Sequence, residues 1–299
     1  MNHGKSALIL ATSILTAMII GSCAQPNGTA PKKESAYDRV MRTGVLRCAY
    51  GLWEPCVIRD PNTGEFSGIV YDFMQDLGKS INVKVDYCLD VPWDSIGAAL
   101  RFGKADAHCA GVWSTPSRGR VMAFSHPLFF TPAVIFARAG DKRFDFKVER
   151  INQPDITVAL SDDDITREIY NSEFPKAKKY ELPQGAPAEE LLLAVATKKA
   201  DVAFNSPPRL NSFEKGYPGL VKIVPTNKPL RIYADTIAVD IHEQELLSVL
   251  NTAIDNLRDS GEIDKLVAKY GKKYNLDFLV PVKPQWTWEV YSSQKTKPH

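Results

Sequence analysis

The chain has 299 residues, 44% hydrophobic and 24% charged, enough for one or two globular domains with ordinary cores. Its formal net charge is +2, with Lys and Arg scattered rather than clustered, which removes the electrostatic case for a nucleic-acid partner. No CxxC or Cys/His spacing occurs among the five cysteines, so neither a zinc site nor another cofactor is expected.

In chain order, Lys5 precedes an apolar stretch from Ala7 to Ile20, followed by Gly21-Ser22-Cys23. A basic start, a short apolar core and small residues before a boundary describe a secretory signal over residues 1–22. The stretch is shorter than the roughly 20 residues that a spanning helix needs. Ile20-Gly21-Ser22-Cys23 resembles a bacterial lipobox, which implies cleavage before Cys23 and acylation of its sulfur. Contact with a membrane is then through the lipid alone. Residues 23–35 are small, polar and Pro-containing, and read as a tether.

Val45-Leu46-Arg47-Cys48-Ala49-Tyr50 reads as a first strand, and Asp60-Pro61-Asn62-Thr63-Gly64 is turn chemistry. Ile69, Phe73, Met74 and Leu77 share one helical face. Val83 to Tyr87 alternates as a second strand, Ile96 to Phe102 reads as a helix, and Ala105 to Val112 as a third strand. This alternation of strand and helix predicts α/β lobes with mainly parallel sheets. The unit then returns. Leu100-Arg101-Phe102-Gly103-Lys104-Ala105-Asp106 resembles Val195-Ala196-Thr197-Lys198-Lys199-Ala200-Asp201 at an offset of 95 residues. Each follows an apolar helix and precedes an apolar strand, which suggests two similar lobes. Leu246, Leu250, Ala253, Ile254 and Leu257 form one core-facing helical stripe, and Ile263, Leu266, Val267 and Tyr270 another. Residues 276–299, with Trp286 and Trp288, read as an extended arm.

With Cys23 assigned to lipid, Cys48, Cys56, Cys88 and Cys109 remain. Four cysteines allow three pairings, and export permits disulfides. Cys48 and Cys109 fall in predicted strands of one sheet, where adjacent strands bring Cα atoms within the about 7 Å that a bridge needs. Buried free thiols are the alternative.

Several stretches carry a family resemblance: Thr43-Gly44-Val45-Leu46-Arg47, Gly64-Glu65-Phe66-Ser67-Gly68-Ile69-Val70-Tyr71-Asp72 and Gly103-Lys104-Ala105-Asp106. Gly111-Val112-Trp113-Ser114-Thr115-Pro116-Ser117-Arg118, Phe124-Ser125-His126-Pro127 and Asn256-Leu257-Arg258-Asp259-Ser260-Gly261-Glu262-Ile263 complete the set. Together they span roughly residues 38–275. In order and spacing the chain resembles the family 3 extracellular solute-binding proteins of amino-acid ABC transporters. The resemblance implies a two-lobed periplasmic-binding-protein-like (type II) fold, two α/β lobes joined by a two-strand hinge. The crossings should fall near Leu128–Pro132 and Ile232–Thr236. Residues 36–130 with 235–275 would form lobe 1, and residues 131–234 lobe 2. Hinge closure would bury a small polar solute, handed on to ABC permease subunits by a monomeric binding protein at the periplasmic or outer face of the cell.

By the same resemblance Arg118 aligns with the arginine that grips the ligand carboxylate, a task suited to a rigid guanidinium fork. Arg120 is a rival two residues on. Gly111 fits a close approach of backbone to ligand, since glycine has no side chain. Trp53 and Trp93 fall where the family places aromatic cleft walls, and Trp113 replaces a small hydroxyl residue. Two departures stand out. After Ala200-Asp201, where the family supplies an acid for the α-ammonium, this sequence has Ser206, which cannot neutralise a cation. At Ser161-Asp162-Asp163-Asp164, where a Gly-Thr helix entry is usual, the carboxylates could cap the helix beginning near Ile165. Asp163 or Asp164 could instead replace the missing acid.

The leading reading is a binding protein without chemistry of its own. The fold also resembles exported dehydratases of prephenate-like cyclic acids, which need a poised general acid; Glu54, Asp163 and Asp164 are the candidates. A ligand-sensing module is the third reading.

Overall fold

Val45–Tyr50 is the hub of the first sheet. It pairs in parallel with Lys84–Asp90 on one side and Ala107–Trp113 on the other. Parallel strands need both faces covered, and Ala107–Trp113 is buried at every position. The cover comes from Ile69–Ser80, Gln244–Asp259 and Glu262–Gly271. Ile69, Phe73, Met74 and Leu77 are fully buried there, as are Leu246, Leu250 and Ile254. The computed structural model describes residues 34–161, 164–183, 186–274, 276 and 279–281. The signal at 1–22, Cys23 with most of the tether, Asp163, and the arm beyond residue 281 with Trp286 and Trp288 lie outside the described residues.

The second sheet joins Phe129–Arg138, Val202–Asn205, Thr157–Leu160 and Lys178–Glu181 in that order. Asp164–Glu173 and Glu189–Ala196 pack on it, around Phe136, Phe204, Ile169, Leu191 and Val195. Two long strands serve both sheets. Phe129–Arg138 runs into the second, while Arg231–Asp240 pairs with Ala107–Trp113 in the first. They pair antiparallel to each other, with Thr131 opposite Tyr233 and Pro132 opposite Ile232. The fold is thus two α/β lobes joined by a two-strand hinge.

The short sequence repeat is a repeat of structure. Gly103 and Lys198 both adopt φ = 65°, as the helices Ile96–Arg101 and Glu189–Ala196 end. The backbone N–H of Asp106 then donates to the Arg47 carbonyl at 2.8 Å, and that of Asp201 to Thr157 at 2.7 Å. Each aspartate reciprocates: Asp106 Oδ2 accepts the Arg47 N–H at 2.9 Å, and Asp201 Oδ2 the Thr157 N–H at 3.0 Å. Arg47 and Arg138 complete the two clamps, each at 2.7 Å. An aspartate after the helix therefore locks the start of the next strand onto a neighbouring strand in both lobes.

Cys48 and Cys109, on paired strands, are joined in a disulfide with Cα atoms 5.6 Å apart. Cys56 and Cys88 are free thiols, the first buried and the second exposed. Among the described residues no helix is long and apolar enough to cross a membrane.

Candidate functional site

One narrow cavity, ≈ 70 Å³, collects Trp53, Trp93, Gly111, Trp113 and Arg118 from the first lobe and Ile165, Thr166, Phe204, Asn205, Ser206 and Arg209 from the second. At about 10–15 Å³ for each, that is room for roughly five to seven waters. A hollow of ≈ 620 Å³ shares the Trp93 and Arg118 walls. Another of ≈ 560 Å³ shares Trp53, Ser206 and Arg209. The cavity is thus a neck flanked by a side hollow walled by the first lobe alone and an outer hollow walled by both lobes.

Each wall is fixed by its local chain. Trp53 sits in a backbone bridge with Val57, and its indole N–H donates to the Ala110 carbonyl. Gly111, at φ = 77°, passes beneath it; a Cβ there would lie 3.2 Å from Trp53 Cζ2 and 3.5 Å from Asp235 Oδ1. A side chain would fill that space and strain the left-handed backbone. Trp93 lies over Gly51, where a Cβ would meet its ring at 3.0 Å. Trp113 ends its strand packed against both hinge strands. Its ring stacks on Tyr233 at 4.7 Å, and its N–H donates to Thr131 Oγ1 at 3.2 Å. The Thr131 hydroxyl donates in turn to Asp235 Oδ2, so one hydrogen-bond chain crosses both hinge strands beneath the cavity.

Arg118 opens a short 3₁₀ turn and is 7% exposed. Its Nη1 donates to the Trp113 carbonyl at 3.1 Å, and its backbone N–H to Thr115 Oγ1 at 3.3 Å. Those bonds aim the guanidinium into the neck, whereas Arg120 is exposed and lines only the side hollow. In the second lobe, Ser206 follows the strand Val202–Asn205 and receives its orientation from Asn205, whose Oδ1 accepts the Ser206 N–H at 2.8 Å. The helix Asp164–Glu173 starts at the cavity, which Ile165 and Thr166 line. Asp163, just before it, is outside the described residues.

Two buried titratable groups lie behind the walls. His108, fully buried with its ring 5.4 Å from that of Trp93, has its pKa pushed down to about 3 by burial and by the nearby Arg118 charge. Burial drives the Asp235 carboxyl well above the carboxylate range, against smaller opposing hydrogen bonds from Thr131 and Trp113. Glu54 is different. Burial pushes it up, but bonds from Lys215 and Tyr274 prevail and lower its pKa. Its partner Lys215 belongs to the second lobe, and the pair closes over the outer hollow.

Sequence reasoning reached Trp53, Trp93, Gly111, Trp113, Arg118 and Ser206, and the structure brings those six to one cavity. It missed Ile165, Thr166, Ala188, Phe204, Asn205 and Arg209. Asn205 and Phe204 are next to Ser206, so the strand end itself was the signal. Arg209 had none, because its approach depends on how the helix Pro208–Glu214 turns back.

Comparison with known proteins gives a consistent result. Residues 46–273 match the bacterial extracellular solute-binding proteins, family 3. The chain is 26% identical over 211 residues to a probable histidine-binding protein of Neisseria gonorrhoeae, covering 70% of this chain and 76% of the relative. It is 25% identical over 211 residues to an arginine-binding periplasmic protein of Mannheimia haemolytica, covering 69% and 83%. Its fold is similar to that of an ancestral amino acid-binding protein, a precursor of cyclohexadienyl dehydratase, with TM-score 0.65, 27% identity, and 79% and 99% of the two chains covered.

Proposed function

The chain belongs to the family 3 bacterial extracellular solute-binding proteins, and from that premise we propose that its solute is an amino acid or a related carboxylate gripped by Arg118 in the tryptophan-walled neck. Its function is to capture a small polar metabolite outside the cytoplasm by hinge closure, for an ABC importer. The observation that carries the specific reading is the cavity itself. Three indoles and a buried guanidinium on one lobe face a serine and an asparagine on the other.

Closure removes water from the solute and from Arg118 together. A carboxylate set bidentately on that fork then gains strength as the local dielectric falls. Trp53 and Trp93 bury the apolar part of the solute, and Gly111 lets its polar end approach the backbone. Ser206 offers a hydroxyl, while Asp163 or Asp164 supplies the charge that meets an ammonium group. The names of the two curated relatives, histidine- and arginine-binding, support an amino-acid-like solute. Cys23 carries a lipid that tethers a monomer to the membrane, near the ABC permease subunits it serves.

The dehydratase reading draws on one structural relative. A general acid must hold its proton near neutral pH. Glu54 has a lowered pKa and lines the outer hollow rather than the neck, so its position favours binding over catalysis.

A thermal-shift panel of amino acids, polyamines, organic acids and short peptides identifies the solute class, since a ligand at a hundredfold excess over Kd adds about 2.7 kcal/mol of stability. Calorimetry then compares Arg118→Ala, Asp163→Asn and Asp164→Asn. The expected result is a large loss of affinity in Arg118→Ala and in one aspartate variant. Unchanged affinity in all three overturns the assignment.

A further inference from the structure

The second lobe brings a cation of its own to the neck. Arg209, in the helix Pro208–Glu214, lines the neck beside Ser206. Its side chain is 13% exposed, and Nη1 donates to Glu189 Oε1. Its Nε is buried with no hydrogen-bond partner among the described residues. The Glu189 side chain is 48% exposed, so water screens this pair and it holds the guanidinium only weakly. A largely buried guanidinium held by one weak partner keeps the planar fork that can set a planar anion in the neck.

Arg118 walls the same neck from the opposite lobe. Both guanidinium groups therefore border one solute, each from a different lobe. Resting on the assignment of a carboxylate to Arg118, we propose that Arg209 holds a second carboxylate, so that the solute is a small dicarboxylate. Acidic amino acids are the amine-bearing members of that class. A neck of ≈ 70 Å³ suits a short molecule. A dianion spanning both lobes also supplies a reason to close, because each of its carboxylates meets a guanidinium on a different lobe. A cationic side chain directed at Arg209 meets repulsion, which excludes basic amino acids.

The test is calorimetry on the intact protein with L-glutamate, L-aspartate and succinate, each beside its monoamide (L-glutamine, L-asparagine, succinamate), and with L-arginine. At least one dicarboxylate should bind, its monoamide and L-arginine being weaker by roughly 10- to 100-fold, the value of a hydrogen-bonded charge. Arg209→Gln should remove most of that ratio, and Arg209→Lys should recover part of it. Arg118→Gln should weaken acid and amide alike. Melting curves establish that each variant is folded. Suppose a monoamide or L-arginine binds as tightly as the dicarboxylates, or Arg209→Gln leaves the ratio unchanged, while Arg118→Gln still abolishes binding. Then this inference fails alone. If none of the seven solutes binds, or binding ignores Arg118→Gln, the assignment beneath it fails and takes the inference with it.

Discussion

Lowering the pH from 7.5 to 5.0 should destabilise the protein through His108, whose ring nitrogens have no hydrogen-bond partner among the described residues. In the unfolded chain its imidazole titrates near 6.5, and in the folded protein near 3. Between those values the unfolded state binds a proton that the folded state refuses, so stability falls as pH falls through 6.5 and levels off below 3. At pH 5.0 the gap to the unfolded value is about one and a half units. At about 1.4 kcal/mol per unit the loss relative to pH 7.5 is about 2 kcal/mol. Urea unfolding at both pH values measures it, with His108→Leu as the reference, since leucine fills a similar volume and cannot titrate. The difference in unfolding free energy between wild type and variant should shift by about 2 kcal/mol against the wild type. A shift below about 0.5 kcal/mol would mean that the imidazole finds water or a partner when charged, and would refute the argument from burial.

Asp235 should behave in the opposite sense. Its folded pKa is raised, so its contribution is greatest at low pH and is lost as pH rises above the unfolded carboxylate value. Asp235→Asn should therefore raise the melting temperature at pH 7, and the gain should shrink toward pH 3; a lower melting temperature at pH 7 contradicts this. Cutting the inter-lobe pair with Lys215→Ala should leave solute association nearly unchanged and speed release severalfold in stopped-flow measurements. Because Glu54 has a lowered pKa, the difference should fade as pH drops below the ordinary carboxylate range and Glu54 is protonated. An effect that does not fade as the pH falls points to packing instead. Replacing both Cys48 and Cys109 by Ala should cost about 4 kcal/mol on the chain-entropy estimate for their sequence separation of 61, read by denaturant titration.

The local elements were legible because they obey short-range rules. The apolar run Val45–Tyr50 and the helical stripe at Ile69, Phe73, Met74 and Leu77 specify their own burial. The repeat at Lys104-Ala105-Asp106 and Lys199-Ala200-Asp201 encodes a clamp made mainly within its own lobe. Arg118 and Gly111 could be read because the family resemblance runs unbroken through the strand Ala107–Trp113 and the turn that opens at Arg118. The second guanidinium could not. Arg209 reaches the cavity only because the strand order of the second sheet sets the ends of Val202–Asn205 and Asp164–Glu173 against the first lobe. The states of His108 and Asp235 were equally hidden, since a pKa is fixed by the dielectric and charges around a group rather than by its chain neighbours. The sequence by itself marked the strands, the helical stripes and the repeat, whose periodicity is written along the chain, and its family resemblance pointed to the hinge strands and to residues that line one cavity. Only the tertiary structure decided which charges face one another across the cleft, because that depends on the packing of segments remote in sequence.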